Sequence, residues 1–225
     1  STDGYYENTL KLLAMLVMSG NWWAPETVAD GTCTPPAGSP LCQGGGSLTD
    51  ARLTFSGVGG AAGKQSVKLQ GSLFFPAGAP AGFPLDGGAQ LLIEDLGNGG
   101  ASVFELSAAT TPIPGASQGT CDAKRDLWKT TPATVTYRNR SGALDPPACT
   151  AGSSRGLSSL QYKPSGPLDL AVKAQATHTA LPASIAGPLR ATVVLGSDAS
   201  ASQAGACAVS PSLTCSGNGA KLRCE

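Results

Sequence analysis

From Ser47 onward apolar residues recur at every second position: Leu53 and Phe55, then Val67, Leu69, Leu73 and Phe75, then Leu91 and Ile93, then Val103 and Leu106. Period two marks strands with one buried face, and each run is bounded by Gly or Pro, the residues that turn a chain between strands. Further strands are expected at Thr134–Arg138, Leu157–Lys163, Leu168–Gln175, Ala191–Leu195, Leu213–Cys215 and Ala220–Cys224. No helical period lies between them to carry parallel crossovers. The expectation is therefore a mainly β chain, an antiparallel β-sandwich of roughly ten short strands preceded by one N-terminal α-helix. Leu53, Phe55, Leu69, Leu73, Leu91, Ile93, Leu170, Val172 and Val194 are in phase with their runs and are expected in the core.

The pattern changes before residue 25. Asp3–Gly20 is built of good helix formers, with Asp or Thr to cap the start and Gly20 placed to accept a left-handed stop. The helix expected from about Tyr5 to Ser19 is apolar nearly all round in its second half (Leu12, Leu13, Met15, Leu16, Val17, Met18), so it must dock outside its own segment. It either packs across a following sheet or closes an upstream helical domain. Residues 25–46 are rich in Gly, Pro, Thr and Ser and read as a linker, which leaves 47–225 for the sandwich module.

Composition narrows the function classes. Only 13% of the 225 residues are charged, and 15 basic and 15 acidic residues cancel, so no overall electrostatic footprint for nucleic acid is present. The longest apolar stretch, Leu12–Met18, falls far short of the roughly 20 residues that span a bilayer, and a membrane is not an expected partner. Seven cysteines (Cys33, Cys42, Cys121, Cys149, Cys207, Cys215, Cys224) occur without a C-x-x-C pair, and His178 is the single histidine. That spacing does not suit structural zinc, and disulfides in a secreted protein are the better reading, with one thiol left over. Cys33 and Cys42 flank a Pro-rich loop and are expected to pair, as are Cys121 and Cys149. A hairpin turn centred on Gly217 and Asn218 would place Cys215 opposite Ala220, so Cys207 is expected to take Cys215 or Cys224 and leave the other reduced.

Candidate chemistry is sparse. Gly57–Ser66 has a phosphate-loop flavour, but Val58 and Gln65 break the motif and a strand follows, so a hairpin loop is expected. His178 lacks a G-x-S-x-G nucleophile elbow anywhere in the chain and reads as a surface or edge-strand residue. Glu94 and Asp95 are adjacent in a strand and point to opposite faces, which argues against a glycosidase pair; Glu105 lies in the next strand. Asp86, Asp95 and Asn98 are oxygen donors without calcium-loop spacing. No catalytic residue, resident metal or cofactor is expected. Aromatic residues are scarce, and Trp22, Trp23, Trp128, Tyr137 and Tyr162 are the candidate sugar-stacking residues, each weighed against simple packing.

At Tyr5, Tyr6, Leu10, Leu13, Leu16, Ser19, Gly20 and Asn21, residues 1–24 resemble the closing helix of family 8 glycoside hydrolases. That resemblance implies an upstream catalytic domain, whose acidic residues have no counterpart in this chain. The remainder is similar to uncharacterised secreted bacterial β-modules through Trp128 and Lys129, Thr136–Asn139 and Leu222–Cys224. Together these imply a non-catalytic, secreted accessory module that binds polysaccharide beside a β-glucan- or xylan-degrading enzyme. The alternative is a structural, adhesion or self-assembly module of an extracellular protein.

Overall fold

The computed structural model describes residues 39–75, 87–166, 169–203, 205–218 and 220–225. The expected N-terminal helix, Trp22, Trp23, Cys33 and Asp86 lie outside the described residues. Among the described residues twelve strands follow one another: β1 (Gly46–Ser56), β2 (Gln65–Phe74), β3 (Gln90–Asp95), β4 (Ala101–Leu106), β5 (Leu127–Thr131), β6 (Thr134–Arg138), β7 (Leu157–Pro164), β8 (Asp169–Thr179), β9 (Leu189–Val194), β10 (Cys207–Val209), β11 (Cys215–Asn218) and β12 (Lys221–Cys224). A short helix, α1 (Ala199–Gln203), precedes β10. All the strands belong to one sheet in the order β4-β3-β9-β10-β1-β2-β8-β7-β6-β5, with β12 on the second half of β1 and β11 beyond it.

The sandwich expectation is corrected here: the protein is mainly β, but it is one curled, mixed sheet. The β1–β10 pair is parallel, Gly46 lying opposite Ala208. The apolar face closes on itself, because one core cluster joins Leu91, Ile93 and Phe104 of β3 and β4 to Tyr137, Leu160 and Tyr162 of β6 and β7. One of the sheet's bulges lies in β1. Between Thr49 and Arg52 its register against β2 slips by one residue, with Asp50 in the left-handed region (φ 50°). Such a bulge bends and twists a strand and reverses which side chains face inward. Leu48 before it and Leu53 after it are consequently both buried, although strict alternation puts them on opposite faces.

The period-two reading located the core. Leu53, Phe55, Leu69, Leu73, Leu91, Ile93, Val172 and Val194 are buried, and only Leu170, opposite Leu73 near the start of β8, is half-buried. Residues 57–64 form the hairpin loop between β1 and β2, as expected, beginning at Gly57 with φ +75°. Strand β5 and the three-residue β10 escaped the pattern: the first presents only Leu127 and Trp128 as apolar residues, and the second is too short for a period to register.

The cysteines pair as Cys42–Cys207, Cys121–Cys149 and Cys215–Cys224. The Cys121–Cys149 expectation holds and the other two assignments are corrected. Cys42 is drawn to Cys207 because the start of β1 lies beside β10, which brings their Cα atoms to 5.6 Å. Gly45 makes room for this bond, since a Cβ there would lie 2.6 Å from both sulfurs. In the tail hairpin the register pairs Asn218 with Lys221 and so places Cys215 opposite Cys224. Thr214 and Glu225 exchange both backbone hydrogen bonds, so the neighbouring cysteines form the closer, non-hydrogen-bonded pair, with Cα atoms 4.0 Å apart. Three disulfides are the usage of an oxidising compartment.

The chain-entropy model separates two of these bonds. Cys42–Cys207 spans 165 residues and Cys215–Cys224 spans 9, so their removal is expected to cost about 5 and about 3 kcal/mol respectively. Urea unfolding of the Cys42→Ala/Cys207→Ala and Cys215→Ala/Cys224→Ala proteins checks the ranking. Equal losses, or a non-reducing peptide map joining Cys42 to Cys33, would contradict it.

Candidate functional site

The two faces of the sheet differ sharply. Over β3, β9 and β10 both are covered: β3 is buried at every position, and a small second cluster of Cys42, Val194 and Cys207, flanked by Leu41 and Ala201, packs on the side away from the main core. From β12 through β1, β2, β8, β7 and β6 to β5 the outer face carries polar side chains. Alternation produces it, since every residue between two core positions of a strand projects outward.

Register aligns these outward residues into two rows running across the strands. One row is Arg223, Thr54, Lys68, Gln175, Ser159 and Arg138. The other is Arg52, Gln70, Lys173, Gln161, Thr136 and Lys129. Strands lie about 4.8 Å apart, so cations recur at about 10 Å and then about 14 Å in both rows, with amides and hydroxyls between them. A shallow groove of about 350 Å³ runs between Lys68, Gln70, Lys173, Gln161, Thr136 and Arg138, and a second of about 300 Å³ continues it past Arg52 and Thr54 to Lys221 and Arg223.

Charge within these rows is one-sided. Glu225 is the carboxylate beside the rows, 2.9 Å from Arg223 and 3.7 Å from Arg52. Lys68, Lys173, Arg138 and Lys129 are exposed and make no ion pair with any described residue. Lys68 and Lys173 are diagonal neighbours on adjacent strands, about 7–8 Å apart, a placement of like charges that does not help the sheet. Whole-chain neutrality concealed this segregation; outward positions of neighbouring strands, once registered, would have revealed it.

The aromatic candidates among the described residues lie elsewhere. Tyr137 and Tyr162 are 1% exposed on the core side, which removes both as sugar-stacking surfaces. Trp128, half-buried, lies opposite Tyr137 with ring centroids 5.1 Å apart, and its indole N–H donates to the Pro114 carbonyl at 2.8 Å. That bond ties β5 to the loop after β4, a packing role. Among the described residues Phe74 is the exposed large apolar side chain, at 36%.

The candidate catalytic groups are likewise accounted for. Glu94 is buried and held bidentately by Arg190 from the adjoining strand, at 3.0 and 3.1 Å. Asp95 accepts the Ala186 N–H at 2.8 Å, and Glu105 accepts the Ser107 hydroxyl at 2.6 Å. Glu94 and Glu105 are therefore not a facing acid–base pair. His178 is exposed at the bulge where β8 slips against β2, with φ 58°. The groove beside it contains Arg140 and Asn139 but no carboxylate to orient an imidazole. Among the described residues no group of three His, Cys, Asp or Glu could hold a metal ion, and Asn98 is exposed in a tight turn.

No family model matches the chain, and no solved structure matches it. A β-glucanase of Niallia circulans is 65% identical over 23 residues, a segment that makes up 10% of this chain and 6% of the length of that protein.

Burial of the tyrosines generates a pH prediction. Burial pushes the Tyr137 phenol up to about 12, with Asp126 adding to the rise and Asn139 opposing it, and burial raises Tyr162 as well. An unfolded tyrosine ionises near pH 10, so the unfolded chain loses these protons first. The stability they contribute is complete below about pH 10 and is lost as pH rises towards 12. Urea unfolding followed from pH 9 to 12 should show a steep fall that is shallower in Tyr137→Phe; ordinary tyrosine titration in the folded protein would contradict the burial.

Proposed function

We propose that this chain is a secreted, non-catalytic module that binds polysaccharide and serves an attached enzyme that degrades β-glucan or xylan. The observation that carries the reading is the pair of polar rows on the open face. Amide and hydroxyl groups of Gln70, Gln175, Gln161, Thr54, Thr136 and Ser159 stand in register across five strands. Such groups exchange hydrogen bonds with sugar hydroxyls as readily as with water, and a rigid sheet holds them in place before binding, which reduces the ordering cost. A polymer laid across the strands would meet a donor or acceptor at every strand spacing, roughly 4.8 Å.

Secretion rests on the three disulfides. The short identity to a β-glucanase, and the glycosidase-like opening helix expected from the sequence, favour an enzyme of that kind as the neighbour. The rows contain no acid poised against a nucleophile, so the module would act by holding substrate near the partner's site and raising its effective concentration.

Affinity electrophoresis through gels holding mixed-linkage β-glucan, xylan or an acidic polysaccharide is the direct test. Retardation is expected in at least one gel, reduced in Gln70→Ala/Gln161→Ala. Free migration in all of them sinks the reading, and concentration-dependent self-association without retardation would favour the adhesion or self-assembly alternative.

A further inference from the structure

The geometry points to an anionic polysaccharide, one bearing uronate carboxylates, as the ligand of the outer face between β12 and β5. This rests on the polysaccharide-binding reading and names its ligand class. A neutral glucan would have no use for cations, and a face kept polar only for solubility would mix both signs. Here each row has three cations; the carboxylate beside the rows, Glu225, lies at the β12 end next to Arg52 and Arg223, and Asp169 projects from this face only at the start of β8, four residues before Lys173. Lys68, Lys173, Arg138 and Lys129 remain uncompensated across the other five strands. Both rows run cation, one neutral donor, cation, two neutral donors, cation, an order that suits a polymer carrying carboxylates among hydroxyls along its length.

Other polyanions and surfaces fit less well. Single-stranded nucleic acid is held by aromatic platforms beside the cations, and here Trp128, Tyr137 and Tyr162 all lie on the core side. A lipid surface needs apolar insertion in addition to charge, and neither groove on this face is lined by a large exposed apolar side chain. A second copy docked through this same face would meet like charge and be repelled. Duplex DNA shares the backbone charge but offers few hydroxyls to the six amides and hydroxyls between the cations.

Calorimetry of the disulfide-bonded protein with sodium polygalacturonate, its fully methyl-esterified form, neutral mixed-linkage β-glucan and duplex DNA tests this, at about 50 mM and about 200 mM salt. Polygalacturonate is expected to bind best and to weaken with salt. Lys68→Gln/Lys173→Gln should weaken it by about tenfold, while Lys64→Gln/Lys124→Gln, which removes equal charge away from the rows, should not. Unchanged melting temperatures exclude misfolding of these surface variants. If the neutral polymers bind as tightly as polygalacturonate, without salt dependence, the anionic assignment fails and polysaccharide binding stands. If no polysaccharide binds, both fail. Duplex DNA binding as tightly at matched charge, or equal losses in both double variants, overturns the assignment in favour of unspecific attraction.

Discussion

An extended sheet has an apolar face that must leave water, and among the described residues there is no second sheet to cover it. The solution is curvature. A bulge in β1 between Thr49 and Arg52 redirects the strand that borders both halves: its start pairs with β10, its end with β12, and β2 runs along its other edge. The two wings then bury Phe55, Leu69, Ile93, Phe104, Tyr137 and Tyr162 in one cluster. At roughly 25 cal/mol for each Å² of apolar surface removed from water, such burial is the main favourable contribution to the fold. Because the core consumes one set of alternate positions, the other set is released to face outward, and the polar rows are a direct consequence of the same alternation.

Covalent and polar ties hold the curl where packing alone is thin. Cys42–Cys207 fastens the chain entering β1 to β10 at the parallel junction, and Cys215–Cys224 locks the hairpin that lengthens the sheet beyond β1. The buried Glu94–Arg190 pair lies between β3 and β9, where both sheet faces are covered and an unpaired charge would be costly. Asp126, itself buried, accepts the backbone N–H groups of Arg140 and Ser141 together with the Ser141 hydroxyl, which fixes the chain leaving β6. These groups position the fold; they do not reach the open face.

What could be read from the sequence follows the range of each interaction. Alternation is local, so Leu53, Phe55, Leu69, Leu91 and Ile93 could be placed in a core before any topology was known, and Thr134–Arg138 emerges as a strand with the expected bounds. The curl could not, because one-residue slips such as the one at Asp50 leave no mark in a period count. Disulfide pairing divides that way only in part. Cys121 and Cys149 meet as expected and Cys42 finds Cys207 only once β10 lies parallel to β1, but Cys215 and Cys224, the nearest pair in sequence, were missed because the tail register pairs Asn218 with Lys221. Tyr137 and Tyr162 lie inside for a related reason: scarcity made them conspicuous, yet in a chain with few large side chains the core has first claim on them. The basic rows stayed hidden because registers across five strands are needed to bring Lys68, Lys173, Arg138 and Lys129 together.

The central claim is that one sheet divides its labour, with a core on one face and a recognition surface on the other. Backbone amide chemical-shift mapping during titration with polygalacturonate tests it most directly. The account predicts perturbations confined to the outer rows, strongest around Lys68, Lys173, Gln161 and Arg138, with β3, β4 and β9 unmoved. Perturbations centred instead on the groove at His178 and Arg140, or on the edge of β4, would contradict it.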